Sequence, residues 1–110
     1  MNSYETLAQI ETTVADTDYS MYLVPALTQV VVSNLRISAK TLNSKFRVSI
    51  VPSGDTLAGK HVIHHDELIE PGRGRDVLKG ITLAAGTQII VRANTGSSNL
   101  SFSLFGSKIT

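Results

Sequence analysis

A chain of 110 residues with a formal charge of +1 and no cysteine has room for one domain and narrows the range of functions from the outset. Phosphate binding needs clustered Lys and Arg, so near-neutral charge argues against a nucleic-acid binder, and the missing thiols exclude disulfide and thiolate chemistry. No stretch approaches the ~20 apolar residues of a membrane span. The start Met1-Asn2-Ser3-Tyr4-Glu5 lacks the basic and apolar runs of a signal peptide, so folding in a cytoplasm without a membrane partner is expected.

Residues 1–18 are the least patterned. Leu7, Ile10 and Val14 sit at helical spacing, but Thr12-Thr13-Val14 is a β-branched run that weakens a helix. This stretch reads as an extended arm, separate from a domain over 19–110. A first strand over 19–24 stops before Pro25. A long central strand over 28–39 follows, with Val30, Val31, Val32, Leu35 and Ile37 placing apolar side chains on both faces. A half-buried strand is apolar at alternate positions only, so this one needs a second layer, from its own chain or from another subunit. After a polar turn at 40–44, Phe46, Val48 and Ile50 alternate with Arg47 and Ser49, the pattern of a strand buried on one face.

Pro52-Ser53-Gly54-Asp55 is a turn. Residues 60–66 read as a strand, 70–76 as a loop and 77–80 as a short strand. Ile81-Thr82-Leu83 leads through the turn Ala85-Gly86-Thr87 to a strand over 88–93, again apolar on both faces from Ile89 to Val91. A turn rich in Gly and Ser spans 94–99, and Leu100, Phe102 and Leu104 form a final one-faced strand. Short strands punctuated by turns about every 8–12 residues predict an all-β chain: a single antiparallel β-sandwich, jelly-roll-like, of about eight strands with an N-terminal arm. Ser and Thr, roughly a fifth of the residues, suit the wet faces of such strands.

The side chains offer little chemistry. His61, His64 and His65 with Asp66 and Glu67 are the best metal-ligand candidates. On a strand His61 and His65 share a face while His64 points to the other, and no further His or Cys completes the set, so no metal or cofactor is expected. No Gly-x-Ser-x-Gly elbow orients a serine, so no enzyme is expected. Gly72-Arg73-Gly74-Arg75-Asp76 lacks the following helix that a phosphate cradle requires. It reads as a solvated loop, or as a subunit contact through the forks of Arg73 and Arg75. Tyr4, Tyr19 and Tyr22 cluster toward the N-terminus, where ordinary packing accounts for them. The absence of Trp weakens a carbohydrate-stacking platform.

Several segments, in order, carry a resemblance. They are Val24-Pro25, Val30-Val31-Val32-Ser33-Asn34-Leu35, Phe46-Arg47-Val48-Ser49-Ile50-Val51-Pro52, residues 60–66, Gly80-Ile81-Thr82-Leu83-Ala84-Ala85-Gly86 and Asn99-Leu100-Ser101-Phe102-Ser103-Leu104-Phe105-Gly106. Over 22–109 the chain resembles small β-sandwich virion structural proteins of tailed bacteriophages. The resemblance implies a virion component without catalytic residues: a capsid decoration or cement protein, or a module of a tail or fibre, often a trimer. Two features depart from the family pattern, His64-His65 where an aromatic residue is common before the Asp, and the Gly- and Arg-rich segment 70–76. The expectation is a homotrimeric cement protein of the virion, assembled in the host cytoplasm, with the major capsid protein or a tail protein of a phage particle as partner. The alternatives are a tail, collar or baseplate module and a carbohydrate-binding receptor-recognition module. Candidate partner-binding residues are Tyr4, Leu7, Ile10 and Val14 on the arm, with Arg73 and Arg75 on the loop.

Overall fold

The computed structural model describes residues 2–96 and 99–109. Nine strands are described: β1 (Asn2–Glu11), β2 (Tyr19–Leu23), β3 (Gln29–Ala39), β4 (Ser44–Val51), β5 (Val62–Ile69), β6 (Gly74–Leu78), β7 (Ile81–Leu83), β8 (Gln88–Ala93) and β9 (Leu100–Ile109). All pairings between strands are antiparallel, in two sheets. One runs β1-β9-β3-β6, with β7 beside β6 along the same edge of β3; the other runs β2-β8-β4-β5. Each sheet interleaves strands from the two ends of the chain, which is the order of a jelly roll. The expected antiparallel sandwich is therefore what the chain forms. The sheet edges face one another, β1 against β2 and β5 against β6.

Alternation explains the core. Val30, Val32, Leu35 and Ile37 of β3 and Leu100, Phe102 and Leu104 of β9 point inward from the first sheet. Phe46 and Val48 of β4 and Ile89 and Val91 of β8 meet them from the second. Full burial of such a side chain stabilises by about 1.5–3 kcal/mol. The layer covering the central strands is thus the opposite sheet of the same chain. Only Val31 and Ile90 of the two-sided runs face outward. Both are half-buried, Val31 between Thr82 and Ser107 and Ile90 between Ser20 and Ser49.

Several expectations change. Residues 2–11, read as part of an arm, form strand β1, paired with β9 from Asn2↔Ile109 to Glu11↔Ser101. A bulge between Thr6 and Ala8 inserts an extra residue, and Leu7, Ala8 and Ile10 pack on the core. The spacing of three between Leu7 and Ile10 that looked helical is the signature of this bulge. A compact chain of this length has a radius of gyration of about 13 Å, and the observed 13.5 Å leaves little room for a projecting arm. Strand β4 is buried on both faces: Ser49 and Val51 lie beneath the segment that ends in the 3-10 turn Gly59–His61, which packs on β4. Strand β5 extends to Ile69, and β6 begins at Gly74, so Arg75 and Asp76 are strand residues and the loop shortens to 70–73.

Candidate functional site

Both open seams of the sandwich are closed by inward-facing polar side chains. At the β5–β6 seam, the alternation that points Val48 inward does the same for its neighbour His64. The His64 Nδ1 contacts the Glu67 carboxylate, while its Nε2 donates to the Val77 carbonyl of β6 at 2.7 Å. Arg75, paired with the inward Ile37, donates to Glu67 at 3.2 Å and to the Leu68 carbonyl at 3.0 Å. Its guanidinium lies 5.5 Å from the centre of the Phe46 ring. At the opposite seam Lys108 of β9 pairs with Glu5 of β1 at 3.2 Å. The Tyr22 hydroxyl is enclosed there without a hydrogen-bond partner, and burial pushes its pKa up.

The histidines do not converge. His61 is in the 3-10 turn rather than on β5, so it does not share a strand face with His65. The Ala58 N–H donates to His61 Nδ1 at 3.0 Å, which leaves Nε2 as the donor to Asp55 at 3.2 Å. His64 faces inward, and His65 is exposed beside Asp66 at 3.4 Å. Among the described residues no group of three His, Asp or Glu is placed to hold a metal ion.

The outer face of the second sheet carries an open trough of about 490 Å³, lined by the polar Asp18, Arg47, Ser49 and His65 and by the apolar Leu57, Ala58 and Val62. Its charges are neutralised in place. Arg47 donates to both Asp66 oxygens at 3.1 Å, which holds that carboxyl below its usual pKa, and Arg92 pairs with Asp18 at 3.4 Å.

The two loop ends differ in chemistry. At one end buried Asn99 ties the 40–43 turn to Thr95. Its Oδ1 accepts from the N–H groups of Thr41 and Leu42 at 3.0 Å, and its Nδ2 donates to the Leu42 carbonyl at 3.0 Å. Asn94 does similar work, accepting from the Lys45 N–H at 2.8 Å. At the other end Val24 and the 84–87 turn exchange backbone hydrogen bonds, Val24 N–H to Thr87 O at 2.9 Å and Gly86 N–H to Val24 O at 3.0 Å. Gly86 (φ +83°) lies so close to Ser53 that an added Cβ would sit 2.5 Å from its hydroxyl. Three loops are thus locked together, and from them Leu27 projects, 94% exposed and at φ +58°.

The fold has a counterpart in a phage capsid. A chain of the solved "Acidic stable capsid structure of Helicobacter pylori bacteriophage KHP30" aligns over 100% of this chain and 94% of its own length, with a TM-score of 0.52. The two are 13% identical, so the likeness is one of fold. No protein-family model and no curated protein matches the chain.

The structure separates the candidate partner-binding residues. Leu7 and Ile10 pack on the chain's own core. Tyr4 lies opposite Ser107 in the β1–β9 ladder, and its side chain lies outside the described residues. Arg75 points into the β5–β6 seam. Among the described candidates Val14, 56% exposed, and Arg73 are presented to solvent, and Arg75 is partly exposed while it bonds across the seam. Val14 and Arg73 belong to the Asn99 end, because Thr12 bonds to Leu100, Leu100 lies opposite Ala39, and Gly72 bonds to Ala39. Asn99 and Leu27 stand outside the candidate set. An Asn ending a Gly- and Ser-rich turn just before an apolar strand is a usable sign of a loop clamp, whereas nothing local marks Leu27 as exposed.

Proposed function

We propose that the chain is a non-enzymatic structural protein of a bacteriophage virion, a cement protein that binds the capsid shell as a homotrimer. The observation that carries this reading is the end-to-end match of the jelly roll to a phage capsid chain, with nearly all of both chains aligned. The use of the polar side chains supports it. His61 and His64 fasten a turn and a seam, and Arg47 and Arg92 are neutralised on the sheet face.

Docking on the particle then uses the Asn99 end, where Val14, Leu42 and Arg73 are exposed, Leu42 on the turn that Asn99 and Asn94 hold in shape and Val14 with its N–H bonded to the Tyr19 hydroxyl. Strand β1 contributes a free outer edge, to which a shell protein can add a strand. Many copies on one lattice make weak individual contacts sufficient. Electron microscopy of particles bearing the tagged chain tests the reading: regular copies over the shell are expected, and density confined to the tail, or none, would overturn the cement assignment. A Val14→Asp, Arg73→Glu double variant is expected to stay folded and to lose co-sedimentation with particles lacking the native copy.

A further inference from the structure

We infer that the Leu27 end is the contact between copies of this chain, with Leu27 of one copy seated in the apolar recess beside Leu27 of the next. The inference rests on the homo-oligomeric part of the reading above and names the surface. The first observation is conformational. A bulky non-glycine residue at positive φ is strained, and a leucine lacks the short polar side chain that makes this conformation tolerable for Asn or Asp. That strain is directed at presenting an apolar side chain almost wholly to water. The second is rigidity: the hydrogen bonds of Val24 with Gly86 and Thr87, and the close approach of Ser53 to Gly86, fix the platform beneath it.

The third observation selects the occupant. Leu27 stands between two open recesses of about 400 Å³ each. One is formed by Leu23, Pro25, Ala26 and Ala85, and the other by Thr28, Ala84 and Ile109. Both are shallow and open, and Leu27 itself forms a wall of each. Projection and recess therefore occur together on one end of one chain and have the same apolar chemistry. No charged side chain lines either recess, and the net charge is +1, so copies meet without desolvating an ion or repelling strongly. Where the knob of each copy enters the recess of the next the contact is heterologous, and in the trimeric reading the rotation between copies closes it after three.

Two variants disrupt the contact. Leu27→Asn removes the knob, and with it a wall of both recesses, with a residue that tolerates positive φ, and Ala85→Glu places a charge in both recesses. Light scattering across the micromolar range is expected to show multimers of the parent chain. Each variant should run as a single folded chain by circular dichroism, with self-association weakened roughly tenfold or more per contact. Leu27→Gly, which relieves the strain, should behave as Leu27→Asn does.

A parent chain that stays single at every concentration would overturn both this inference and the homotrimer. A parent that assembles while Leu27→Asn assembles equally would overturn the inference alone, leaving the homotrimer on another surface. Loss of particle binding by Leu27→Asn with a single-chain parent would assign the face to a shell protein and would equally overturn self-contact.

Discussion

Replacing Ile10 by Ala tests whether β1 is part of the sandwich. Truncating a fully buried Ile to Ala costs about 2–5 kcal/mol. Ile10 is half-buried on an edge strand, opposite Phe102 of β9, and its surroundings can partly close over the gap. About 1–2 kcal/mol is therefore expected, and a domain of about this size loses about 4–8 °C of melting temperature per kcal/mol. Thermal melts followed by circular dichroism, with no particles present and at matched concentration, should place Ile10→Ala about 5–15 °C below the parent. Val14→Ala, three residues beyond the end of β1 and 56% exposed, should melt with the parent. If both variants melted with the parent, β1 would contribute nothing to the fold in solution, and the segment would act as an arm. The same logic makes deletion of residues 2–11 severe. It uncovers the β9 ladder and the inner faces of Phe102 and Leu104 together, a large share of the ~5–15 kcal/mol that holds a domain.

Three further substitutions probe the scaffold. Asn99→Ala removes a buried amide that accepts from the N–H groups of Thr41 and Leu42 in an exposed turn; a loss of about 1–2 kcal/mol in chemical denaturation is expected, and a loss under ~0.5 kcal/mol would show that water replaces the clamp. Gly106→Ala brings a Cβ within 2.2 Å of the Val31 carbonyl oxygen at the β3–β9 crossing, so the backbone must shift, and about 1–3 kcal/mol should be lost in the same assay; an unchanged midpoint would show that the ladder yields freely. The Asp76 carboxyl is held below its usual pKa by the Asn34 amide first and the Arg36 guanidinium second, and Asp66 likewise by Arg47. A depressed carboxylate stabilises above the ordinary Asp range, and that stability is lost as pH falls through the depressed value. The melting temperature should therefore fall on acidification below the ordinary Asp range, less steeply in Asp76→Asn; an equal slope in the variant would remove Asp76 from the account.

Legibility in the sequence followed the range of the interactions. Strands β3, β8 and β9 were readable because β-branched runs such as Val30-Val31-Val32 and one-faced alternation such as Leu100, Phe102 and Leu104 are local patterns, and Pro25, Gly86 and Gly96 punctuate them. Strand β1 is hidden in the sequence because its bulge at Leu7 turns a period of two into an apparent period of three. Segment 70–76 read as loop throughout because Gly74 and two charged neighbours give no alternation, although β6 begins there against β3.

The sequence by itself therefore determined an all-β sandwich and the side chains that fill its centre, because alternation and turn chemistry act between residues close in the chain. The tertiary structure decided what those strands do to one another. It pairs β1 with β9, some ninety residues apart, and turns His64 and Arg75 inward to close one seam. It also leaves Leu27 uncovered at a locked loop end. These depend on which distant strand lies alongside and which face it covers, and a local periodicity carries no record of either.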